Sequence, residues 1–202
     1  LLKVSGGEPS EFRRLCRTLV EVMTALAAAG VDPRSVLYRH VSSMADVRGA
    51  EGAEAFRDLL ERLRSLLVAM AEGGVSPRAF LGEGLPAAAR EAHDQPWRLD
   101  ACLAWMTRMA RSGRDGSAIL EHAIGAIAGV DRGEPARFDA LLDAVERVSV
   151  RLPEAAVKWF QKPLVTAAAE ISRGDVTAFV GALDLVMARV DLEQEGDDLM
   201  ES

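Results

Sequence analysis

Residues 12–37 recur as residues 56–81, displaced by 44 positions. Phe12, Leu15, Leu19, Val22, Met23 and Leu26 fall on Phe56, Leu59, Leu63, Leu66, Leu67 and Met70. Behind them Gly30 falls on Gly74, Pro33 on Pro77, Arg34 on Arg78 and Leu37 on Leu81. The apolar positions step by threes and fours, which places them on one face of an α-helix. The Gly stops that helix, and Asp32-Pro33 or Ser76-Pro77 starts the next with a capping side chain and a proline in its first turn. A unit of helix, tight turn and helix cannot bury its apolar faces alone, so successive units must stack.

Looser copies follow. Leu99, Cys102, Trp105, Met106, Met109, Gly113 and Leu120 keep the template positions, with Asp115 as the matching cap. Phe138, Leu141, Leu142, Val145, Val148 and Leu152 form a fourth unit, and Phe179, Leu183, Val186 and Val190 a closing half unit. Helix starts repeat as well: Gly7, Gly133 and Gly174 each stand five residues before a Phe, with an acidic residue directly after the Gly. An acid there faces the positive end of the helix dipole. Helices are therefore expected near 10–29, 33–46, 53–72, 77–92, 97–112, 116–129, 135–151, 154–172 and 175–190. The glycines at Gly82-Glu83-Gly84 before Leu85-Pro86 predict a break or kink inside the second helix of unit two. The stretch Ala92–Trp97 is a longer joint that can bend the array or divide it.

This organisation resembles the broad class of HEAT-like and TPR-like α-helical repeat proteins, over about residues 8–190. Its unit spacing lies nearer to HEAT units than to the TPR period of about 34. The resemblance implies an all-α, α-solenoid-like fold of about four helix pairs plus a capping helix. It also implies a non-catalytic interaction or scaffold module that binds a partner protein or peptide along a groove of repeat helices. An irregular closed helical bundle is the competing architecture. The competing functions are a helical sensor or effector domain with a small ligand in its core and, less favoured, a HEAT-like enzyme acting on DNA. On this reading residues 1–10 are a linker, 11–190 the helical domain and 191–202 an acidic, disordered tail.

Composition agrees with an all-α chain: hydrophobic residues make up 49% but aromatics only 5%. No apolar run approaches the roughly 18 residues of a membrane span, which predicts no membrane partner. The net charge of −7 is concentrated in the tail, where Asp191, Glu193, Glu195, Asp197, Asp198 and Glu201 carry six negative charges and no base accompanies them. The remaining body is close to neutral, which argues against a nucleic-acid surface. Arg is far commoner than Lys, and with abundant Ala and Gly this points to a GC-rich, bacterial source. Cys16 and Cys102 occupy apolar helix positions and read as reduced thiols of a cytoplasmic protein. The chain does not begin with Met, so it is expected to be either a segment of a longer polypeptide, which leaves room for a covalent neighbour domain, or a trimmed form.

No catalytic motif is present, and His40, His93 and His122 lack the ligand spacing of a metal site, so no metal and no cofactor are expected. Asp139 and Asp143, beside Glu146, read as the solvated face of an amphipathic helix. Four residues are the candidates for partner contact. Arg34 and Arg78 hold equivalent places after the two prolines and would form a ladder for an acidic segment. Trp159 and Lys162 belong to a stretch, Lys158-Trp159-Phe160-Gln161-Lys162-Pro163, that pairs adjacent aromatics with two of the three lysines. Adjacent helical residues diverge by about 100°, so both aromatics do not fit one narrow core stripe.

Overall fold

A computed structural model describes residues 1, 3–36, 41–48, 51–151 and 163–200. The described residues are helical, without a β-strand among them. The helices are α1 (Pro9–Ala28), α2 (Pro33–Val36), α3 (Ser42–Arg48), α4 (Ala53–Glu72), α5 (Pro77–Ala79), α6 (Leu85–Glu91), α7 (Trp97–Arg111), α8 (Ser117–Val130), α9 (Pro135–Arg151), α10 (Val165–Ser172) and α11 (Val176–Met200). None of them is long and apolar enough to cross a membrane. The backbone packs as two compact units, residues 1–121 and 122–202, and the division falls inside α8. The 92–97 joint lies within the first unit and is itself hydrogen-bonded: the amide of Gln95 donates to the carbonyl of Ala92, and Arg98 Nη1 to that of Glu91 at 3.2 Å.

In the first unit α1, α4 and α7 pack in series, with α4 between the other two. α4 touches α1 on one flank and α7 on the other. Arg64 Nε of α4 stands 3.9 Å from Glu21 of α1, one position from the register of the 44-residue repeat. At the far ends of α4 and α7, Gly73 lies against the carbonyl of Ala110. A helix flanked on both sides must bury a wider apolar face than one at an edge. Accordingly Phe56, Leu63 and Leu67 are fully buried, while their repeat equivalents Phe12, Leu19 and Met23 on α1 are only half buried. The same pattern of residues thus carries different burial according to place.

The turn inside each pair is conformationally identical. Gly30, Gly74 and Gly113 adopt φ of +71°, +69° and +72°. The amide three residues beyond the helix then reaches back: Val31 to Leu26, Val75 to Met70 and Arg114 to Met109, at 3.0, 2.8 and 3.0 Å. These backward bonds satisfy carbonyls that the helix end would otherwise leave orphaned. The next helix is capped by Asp32, Ser76 or Asp115, whose side chain accepts from the amide two residues on, at 3.0, 3.5 and 2.9 Å.

The break expected at Gly82–Pro86 is a π-helical turn, Phe80–Gly84, between α5 and α6. Pro86 has no amide to donate, and its ring would strike the carbonyl four residues back. Widening the turn so that the amide of Leu85 bonds the carbonyl of Phe80 lets the helix continue instead of stopping.

The second unit holds the rest of α8 with α9, α10 and α11; α11 packs on both α9 and α10. Its core is Phe138, Leu141, Leu142, Val145, Val148, Phe179 and Leu183. The helical backbone of α11 runs on to Met200, so most of the stretch expected as a disordered tail from 191 continues the last helix. Leu, Glu, Gln and Met dominate that stretch outside its acidic pairs, and all are good helix formers.

Candidate functional site

Arg34 and Arg78 sit where the repeat places them, in the first turn of α2 and of α5. Both side chains are exposed. Their backbone amides are taken by the caps Asp32 and Ser76, and neither guanidinium has an ion pair among the described residues. The third equivalent position is Ser117, which is buried and bonded through its amide to Asp115. The ladder therefore has two rungs. Trp159 and Lys162 lie outside the described residues, as does His40. His93 and His122 are exposed, and no group of three metal-ligating side chains occurs among the described residues. Cys102 is buried and Cys16 half buried, both as free thiols. Asp139 and Asp143 are exposed.

A charged cluster unforeseen from the sequence joins α3, α4 and α7. Arg48, at the end of α3, bonds Glu51 and Asp100. Arg62 of α4 brings its Nε to 3.5 Å from the other oxygen of Asp100. Burial raises the Asp100 carboxyl above its ordinary value, outweighing the pull of Arg48 and Arg62 in the opposite direction; Glu51 adds to the rise. The cluster is compact and internally paired, and it has the character of a fastening between helices.

The second unit contains a cleft of about 370 Å³ lined by Arg132, Arg137, Gly174, Asp175, Val176 and Thr177. Two equivalent turns build it. In each, the first residue's carbonyl accepts from the amide three residues on: Asp131 from Glu134 at 3.1 Å, and Ser172 from Asp175 at 2.9 Å. Both central residues are left-handed, with φ of +53° and +78° at Arg132-Gly133 and +49° and +82° at Arg173-Gly174. This is a type I′ turn. The same turn precedes α1, where Gly6 and Gly7 have φ of +60° and +83° and Glu8 bonds Ser5 at 3.0 Å. The residue opening each turn is polar and buried: Ser5, Asp131 and Ser172.

Gly6 adopts its conformation at little steric cost, but Arg132 and Arg173 each hold a left-handed backbone that disfavours a side chain by roughly 1–2 kcal/mol. The side chain of Arg132 crosses to the neighbouring turn. Its Nη2 lies 3.3 Å from the carbonyl of Arg173, and its Nε would be only 2.8 Å from a Cβ placed on Gly174. Gly174 is thus required twice, for its φ and for the space that Arg132 fills. Arg137 spends its Nε on Glu134 at 2.8 Å. Asp175 accepts from the amides of Thr177 and Ala178 at 2.8 and 3.2 Å and caps α11. The Arg-Gly dipeptide repeated 41 positions apart was the available signal for this cleft. Reading only the Gly-to-Phe spacing passed over it.

No family model matches the chain, and no curated protein or solved structure is detectably similar to it.

Proposed function

We propose that this protein is an α-solenoid-like repeat array that serves as a non-catalytic interaction module, holding an acidic segment of a partner protein at the turn edge marked by Arg34 and Arg78. The observation that carries this reading is the equivalence of those two residues. They occupy the same turn of successive helix pairs, both are exposed, and neither guanidinium is paired within the described residues. A guanidinium presents a planar fork of donors that matches a carboxylate in two bonds, and two forks on one edge give a partner both affinity and register. The contacts of α1 with α4 and of α4 with α7, with the same turn after each of these helices, support such an edge. Trp159 and Lys162 remain in the proposal as a further contact group, because aromatic and cationic side chains are enriched at interface centres. Two free thiols accord with work in the reducing cytoplasm.

The test is capture from native lysate on the immobilised chain, run beside the double variant Arg34→Ala, Arg78→Ala. The expected result is a protein retained in stoichiometric amount by the wild type and lost from the variant. Equal retention by both would show that the edge is not the binding surface, and retention of no protein by either would remove the interaction reading.

A further inference from the structure

We propose that the cleft between the turns at 131–134 and 172–175 binds a carboxylate, gripped by the guanidiniums of Arg132 and Arg137 with the Thr177 hydroxyl beside them. The proposal is independent of the partner reading for the first unit.

Three observations lead to it. The first is the backbone of Arg132. A type I′ turn gains nothing from a long side chain at that position, as Gly6 in the turn before α1 demonstrates. An outlying backbone that persists at such a position directs attention to what the side chain does. Here it lies across Gly174, in the lining of the cleft, and among the described residues it is held by one long bond to the carbonyl of Arg173. The second is donor supply. Arg137 uses Nε on Glu134 and keeps its terminal amino groups without a partner among the described residues. Thr177 lines the same space; its amide donates to Asp175, and its hydroxyl has no partner among the described residues.

The third is charge. The lining holds two guanidiniums and one carboxylate, Asp175, and Glu134 offsets part of the charge of Arg137. That balance suits one negative charge. A phosphate dianion would bring a second charge close to Asp175 and Glu134 and be repelled by both. The volume of about 370 Å³ admits a small molecule or a single side chain. A free carboxylic acid and the acidic side chain of a peptide therefore offer the cleft the same group.

The chain of residues 1–202, labelled with ¹⁵N, is titrated while the arginine Nε–H resonances are followed by NMR. The probes are butyrate, a capped tripeptide with one central Glu, and inorganic phosphate, all at constant ionic strength set by chloride. The resonances of Arg132 and Arg137 should move saturably with a carboxylate probe and more weakly with phosphate. Saturation by butyrate alone assigns a free acid as the source, and saturation by the peptide assigns a protein side chain. Arg132→Gly is the decisive variant, because Gly suits the left-handed position and the variant should melt no lower than the wild type. Its affinity, read at Arg137, should fall about tenfold or more. Arg137→Lys should weaken binding in the same direction. Unsaturable shifts, tighter binding of phosphate than of either carboxylate, or wild-type affinity in Arg132→Gly would overturn the proposal.

Discussion

Gly73 has an ordinary helical φ of −81°, yet an added Cβ would sit 2.0 Å from the backbone oxygen of Ala110. Backbone cannot rotate out of the way as a side chain can, so α4 and α7 would have to separate. Gly73→Ala is therefore expected to cost about 2–3 kcal/mol in urea unfolding, at the upper end for overpacked sites. Gly82, on the exposed side of the π-helical turn, meets nothing within 4 Å. Gly82→Ala should be neutral or gain up to about 1 kcal/mol. In the sequence Gly73 and Gly74 are adjacent and alike. Gly74 does carry the left-handed turn, whereas Gly73 is fixed by a neighbour 37 residues away that no local pattern discloses.

Asp100 allows a signed prediction at the same scale. Its folded-state carboxyl titrates above the ordinary value because of burial. Ionising it therefore costs more in the folded chain than in the unfolded one. Its contribution is most favourable below the ordinary carboxyl value and declines as pH rises through the raised one. Asp100→Asn removes this dependence. The unfolding free energy of the wild type should fall relative to that of the variant as the pH rises from about 3.5 to about 6. Movement in the other direction would mean that Arg48 and Arg62 outweigh burial.

At the level of elements, caps and turns were the most legible features, since each is dictated by a few adjacent residues. Asp32-Pro33, Ser76-Pro77 and Asp115 start helices where the sequence placed them. Their strengths differ with geometry. The Asp115 carboxylate accepts from the Ser117 amide at 2.9 Å and also bonds the Ser117 hydroxyl, whereas Ser76 is 3.5 Å from its amide. Asp115→Ala should lower stability by about 1–2 kcal/mol, and Ser76→Ala by less than about 1 kcal/mol, in paired thermal melts. The kink at Pro86 was legible as an interruption but not as a π-helical turn. Whether a proline stops a helix or is absorbed by a wider turn depends on what the far side of the helix is packed against. Here Phe80, Leu81, Leu85 and Ala87–Ala89 are buried, and stopping would expose them.

At the scale of the molecule, α1 and α4, the two helices related by the 44-residue offset, are in contact, and Glu21 and Arg64 approach within one position of that offset. The offset does not indicate that the contacts divide between Glu121 and His122, because α8 is one continuous helix across that point. The sites follow the same rule. Arg34 and Arg78 were visible because they repeat within matched turns. The Arg132 cleft was not, because it arises from two turns brought together by the packing of α9 on α11.

The central claim is that Arg34 and Arg78 hold an acidic partner. Its most direct test is the affinity of the captured partner for the wild-type chain and for the charge-reversed variant Arg34→Glu, Arg78→Glu, measured by calorimetry across a range of salt. The account predicts binding at least about a hundredfold weaker in the variant, about 2.7 kcal/mol, with a shallower salt dependence. Equal affinity with an unchanged salt dependence would contradict it.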